Sequence, residues 1–111
     1  MIGNDIIDLS LAKVQSNWRR KGYLNKLFSD EEQKMILTSS EPDIFVWRLW
    51  SMKESAYKAQ LRCETLKRFN PVAYECQILT KRLGNVFYGA KKYITVSEKN
   101  KGTGSIVLLP I

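Results

Sequence analysis

The chemistry-bearing residues that stand out are Trp50, Glu54 and Lys58, spaced four apart in Trp50-Ser-Met-Lys-Glu-Ser-Ala-Tyr-Lys58. On a helix that spacing puts an aromatic ring, a carboxylate and an ammonium on one face. Read alone, the pattern fits a solvated Glu–Lys pair worth a few tenths of a kcal/mol, with Trp50 covering the core. Without further context that reading is the favoured one, and a functional face needs support from elsewhere in the chain. Two further acids, Asp5 and Asp8, sit in the apolar opening segment Ile2 to Leu9. There is no His, and Cys63 and Cys76 are the only cysteines. Zinc sites of the CxxC or HExxH kind are therefore excluded, and so are Ser-His and Cys-His nucleophilic pairs.

The elements that must position these residues can be read from periodicity. Ile2 to Leu9 reads as a short strand, and Ser10 opens a helical pattern through Leu11, Val14 and Trp18 that breaks at Gly22. Ser29 can cap a helix, with Glu32 at the reciprocal capping-box position and Met35, Ile36 and Phe28 turned inward. From Pro42 to Cys63 the spacing predicts one long helix, with Phe45, Leu49, Met52, Ala56 and Ala59 as its apolar stripe. Trp50, Glu54 and Lys58 are offset from that stripe. After Phe69-Asn-Pro the period changes to two. Four short strands are expected, at Val72 to Leu79, Val86 to Tyr88, Tyr93 to Ser97 and Ser105 to Leu109. Gly84-Asn85 and Lys101-Gly102 are the expected turns. The fold class is α+β, with residues 1–111 forming one domain.

Eighteen Lys and Arg stand against 11 Asp and Glu, giving a net charge of +7. Such a charge favours anionic partners without choosing among them. The start, MIGNDIIDLS, is too acidic for a signal peptide, and no apolar run approaches the ~18 residues of a membrane span. A cytoplasmic protein with reduced cysteines is expected.

The pairing of Ile2-Gly-Asn-Asp5 with the Trp50–Lys58 helix resembles the 4′-phosphopantetheinyl transferase superfamily. Trp50, Ser51, Lys53, Glu54, Ser55 and Lys58 all match its helix motif, and Asp5 lies 49 positions before Glu54. The resemblance extends over nearly the whole chain. It implies a 4′-phosphopantetheinyl transferase-like fold, with one long central helix packed on a small, mostly antiparallel sheet. It also implies transfer of phosphopantetheine from coenzyme A to a serine of an acidic acyl carrier protein. In that reaction the serine attacks the β-phosphate and adenosine bisphosphate leaves.

Carried over residue by residue, Asp5 and Glu54 would hold Mg2+, since a pyrophosphate calls for a hard divalent ion held by carboxylates. Asp5, Glu54 and Lys58 would be the catalytic residues. Lys53, Lys58 and Ser97 would contact coenzyme A, and Lys91, Lys92, Lys99 and Lys101 could meet its 3′-phosphate. The basic residues Lys13, Arg19, Arg20 and Lys21 would dock the carrier protein. The chain departs from the two-domain members by having Ile7 in place of their second acid. Asp8 instead resembles the acid of the single-domain holo-acyl-carrier-protein synthases, and Glu98 stands where these often have His. Two-domain members resemble two fused copies of such a unit, so a homo-oligomer is expected, a trimer with shared sites. Two rival readings are a homologue that binds without catalysing and a basic nucleic-acid-binding module. Asp5, Asp8 and Glu54 argue against the latter, because without metal they would repel phosphate.

Overall fold

The computed structural model describes residues 18–61, 69–100 and 103–110, the segments beyond Ser97 by their backbone. The elements are helices α1 (Tyr23–Leu27), α2 (Asp30–Thr38) and α3 (Pro42–Leu61), a 3-10 turn at Pro71–Ala73, and strands β1 (Glu75–Ile78), β2 (Leu83–Tyr88), β3 (Lys91–Asn100) and β4 (Thr103–Pro110). The expected opening strand, Cys63 and the Lys101-Gly102 turn lie outside the described residues.

Each helix start has a local cause. Gly22 enters α1 at φ +80, a left-handed conformation that costs glycine little. At α2 the Ser29 side chain accepts from the Glu32 amide and the Glu32 side chain accepts from the Ser29 amide, completing the capping box. Pro42 opens α3, where its missing N–H costs nothing.

The four strands form an antiparallel meander in the order β1-β2-β3-β4. Helix α3 lies across it and approaches every strand. Leu49, Met52 and Ala56 are fully buried at this contact, while Phe45 and Ala59 pack at its margins. Burial is not confined to that stripe: every residue from Val46 to Ala56 is buried, Arg48, Lys53 and Glu54 included. Polar groups on such a helix must find partners inside the protein.

The fold departs from the sequence expectation at two places. Residues Val72 and Ala73 belong to the 3-10 turn, so the first strand of the meander begins at Glu75. Gly84 and Asn85 make no turn; they pair with Ile78 and Gln77 inside the β1–β2 ladder. The reversal falls instead on residues 79–82, where the Thr80 hydroxyl accepts from the amides of Arg82 and Leu83. Gly84 has a packing reason, since a Cβ there would collide with Met52. No helix among the described residues is long and apolar enough to cross a membrane.

Candidate active site

Glu54 lies near the centre of α3 and is 5% exposed, which removes the solvated-pair reading. Lys58 follows one turn later on the same face and is half-buried. Trp50, one turn earlier, is buried and packs against Phe69 with ring centroids 5.3 Å apart. Phe69 also stacks on Tyr57 at 4.7 Å and meets Tyr74 edge-on at 5.6 Å. Trp50 thus belongs to an aromatic cluster that anchors the helix face on which Glu54 and Lys58 stand.

Lys53 is corrected. The expected phosphate contact is wholly buried, and its ammonium faces Glu32 Oε1 at 2.7 Å. It also donates to the carbonyls of Pro71 at 2.8 Å and Tyr74 at 2.5 Å. Three acceptors use all three protons of an ammonium, leaving none for a ligand. The partner, Glu32, was legible only as a capping residue. Its burial follows from a second duty, because Oε2 accepts the Cys76 amide at 2.7 Å.

Ser97 lies in β3 and is 5% exposed. Its amide donates to Arg82 O, and its buried hydroxyl has no hydrogen-bond partner among the described residues. Lys91 and Lys92 are exposed at the start of the same strand. Arg48 is buried with its guanidinium donating to Thr80 O and Leu83 O, which secures the β1–β2 reversal. Burial lowers its pKa from the ordinary arginine value. The sequence offered no sign of this role.

The basic residues after Trp18 line a surface cleft of about 470 Å³ with Leu24, Asn25, Gln33 and Leu37. Leu37 is two-thirds exposed. Arg19 is not a free cation: it pairs with Asp43 at 2.7 Å and lies 4.2 Å above the Trp18 ring. Trp18 Nε1 donates to the same Asp43 oxygen at 2.7 Å. These bonds, with Arg19's charge, hold the Asp43 carboxyl below its ordinary pKa. Arg20 and Lys21 are exposed.

Asp5, Asp8 and Lys13 lie outside the described residues. Among those described, no cluster of three or more metal-ligating side chains occurs. Glu54 offers a hard oxygen donor in a sheltered place. That suits magnesium, which takes one or two protein carboxylates and fills its other positions with water and substrate oxygens.

A long helix laid over an antiparallel meander, with an acid near its centre and a lysine one turn later in its last turn, defines an α+β domain with a transferase-like arrangement. The chain belongs to the 4′-phosphopantetheinyl transferase superfamily, whose model matches residues 1–105. It is also similar to a protein named holo-[acyl-carrier-protein] synthase from Natranaerobius thermophilus, with 36% identity over 58 residues. That match covers 52% of this chain and 46% of the relative, so it spans about half the length of each. No solved structure gives a significant match.

Proposed function

We propose that the chain transfers the 4′-phosphopantetheine group of coenzyme A to a serine of an apo acyl carrier protein, with magnesium. The observation that carries this reading is the placement of Glu54 and Lys58 one turn apart on the central helix, sheltered yet beside a half-buried margin. In the reaction the serine oxygen forms a bond to the β-phosphorus and the bond to the bridging oxygen breaks. Adenosine 3′,5′-bisphosphate leaves, and the serine proton is lost. Glu54, together with Asp5, would hold the metal, which when bound neutralises pyrophosphate charge. Lys58 would stand as a point charge against the negative charge growing on the leaving group. Such a transfer needs positioning and charge more than a covalent intermediate, so the absence of His is compatible with it.

The cleft beside Arg20 and Lys21 would receive the carrier protein, with Leu24 and Leu37 supplying apolar contact and the cations supplying steering. A single copy offers one wall of a coenzyme A site. A closed ring of three chains, each repeating one interface, would supply the other.

The test is mass spectrometry of an apo carrier protein incubated with the chain, coenzyme A and magnesium. A gain of one phosphopantetheine, lost in Glu54→Gln, is expected. No gain with a folded, correctly assembled protein would defeat the reading. Light scattering checks the ring, for which the mass of a trimer is expected.

A further inference from the structure

We propose that the buried Glu32–Lys53 ion pair is a positioning device that aims the Glu54 carboxylate by fixing the rotation of α3 about its axis. The proposal rests on the reading of Glu54 as a divalent-metal ligand.

Both side chains of the pair are wholly inaccessible, and the Nζ to Oε1 distance is 2.7 Å. The Lys53 ammonium is held from several sides, by Glu32, by the carbonyls of Pro71 and Tyr74, and by the Phe28 ring 5.4 Å away. Glu32 is held as firmly. Oε1 also accepts the Ser29 amide at 2.9 Å, and Oε2 accepts the Cys76 amide. One ion pair therefore joins the start of α2, the centre of α3, the 3-10 turn and β1.

Stability alone does not account for such an arrangement. An apolar pair of the same volume commonly stabilises as well or better, because it avoids desolvating two charges. What an apolar pair lacks is direction. The stripe that seats α3 on the sheet consists of Leu49, the flexible Met52 and the small Ala56. Apolar contacts of this kind tolerate a few degrees of roll, and methionine adapts to it. Hydrogen bonds from one ammonium to three fixed acceptors do not, since they weaken steeply with angle.

Lys53 and Glu54 are consecutive, so their side chains leave the helix about 100° apart. Locking Lys53 inward thereby fixes the direction in which Glu54 leaves. A metal ligand needs its donor placed within about 0.5 Å and 10–20° of the productive geometry. The pair is thus a support for Glu54 and touches no substrate.

The decisive variant is Glu32→Gln/Lys53→Met, which removes both charges, retains their volume and leaves an acceptor for the Ser29 amide. Circular dichroism and a cooperative melt establish that it folds. Mn2+ affinity, measured by electron paramagnetic resonance on the protein alone, is expected to weaken about tenfold or more, the scale seen when groups orienting a metal ligand are lost. The turnover number should fall in parallel, with the KM for coenzyme A little changed. A folded variant with wild-type Mn2+ affinity would overturn the proposal. If the double variant does not fold, Glu32→Gln alone keeps the cap and carries the test, with a smaller loss of Mn2+ affinity expected and none overturning it. Glu54→Gln separates the two readings. Wild-type Mn2+ affinity in that variant removes Glu54 as a ligand, and the positioning proposal with it. Loss of Mn2+ binding there, with full binding in the folded pair variants, defeats the positioning proposal alone.

Discussion

Gly84 faces Met52 so closely that a Cβ on the glycine would lie 2.6 Å from Met52 Cε and 2.9 Å from Gln77 O. The methyl of Met52 ends a flexible side chain and can swing aside. Gln77 O is backbone of the adjacent strand and cannot move without disturbing the β1–β2 ladder. Gly84→Ala is therefore expected to cost about 1–3 kcal/mol, the range for overpacking a filled core. Urea denaturation checks this, and an unchanged midpoint would show that the β1–β2 ladder accommodates the extra methyl beside Gln77 O at no cost.

Asp43 links acid stability to the N-terminal edge of α3. Hydrogen bonds from Trp18 and Arg19 depress its pKa in the folded state. A depressed pKa contributes stability above the unfolded-state value, about 4 for an aspartate, and loses it as pH falls through the folded value. Wild type should therefore exceed Asp43→Asn in stability near pH 6, and the gap should close below about pH 4. Denaturant melts of both proteins at several pH values measure the difference. A gap that persists at pH 2 would mean that the hydrogen bonds, rather than the charge, account for it.

The Cys76 thiol is fully sealed, and burial pushes its pKa well above the ordinary cysteine range. Its Sγ points at Leu49 O, 3.7 Å away. Only the thiolate reacts appreciably with disulfide reagents. In a Cys63→Ser background the remaining thiol should stay silent at pH 8 until denaturant is added. Prompt labelling of the native protein would reveal an opening of the helix–sheet contact.

Local features of this fold were legible, and long-range pairing was not. The capping box of Ser29 and Glu32 involves residues three apart, and the sequence states it fully. The start of α3 at Pro42 and its apolar stripe follow from one periodicity. Gly84 was misread because glycine followed by asparagine suits a tight turn, whereas its reason lies in the close approach of Gln77 O and Met52, both on other elements. Lys53 was misread because its place beside Glu54 in the motif suggested a phosphate contact, and lysines are rarely fully buried unless paired. Its burial depends on Glu32 and on two carbonyls from the chain after the helix, none of which periodicity can bring together. The Trp50, Glu54 and Lys58 face was read correctly as a shared face. The sequence left its depth open, since the stripe does not reveal that the opposite side of α3 is also covered.

At the cleft proposed to receive the carrier protein, the geometry decides which residues can report on docking. Arg19 already has a carboxylate partner, so Arg19→Glu would set two acids side by side and disturb the Trp18–Asp43 contact as well. A loss of activity there would mix folding with docking. Arg20 and Lys21 are exposed beside the same cleft, and reversing them leaves the Asp43 contacts intact. Arg20→Glu/Lys21→Glu should raise the KM for an acidic carrier protein by about tenfold or more, while the KM for coenzyme A changes little. The double variant should also lose much of the salt dependence of carrier binding, because screening acts on the charges that it removes. Steady-state kinetics at low and high ionic strength measure both effects. Equal rises in the two KM values would assign the pair to the nucleotide instead. Unchanged kinetics would place the carrier protein on another face of the domain.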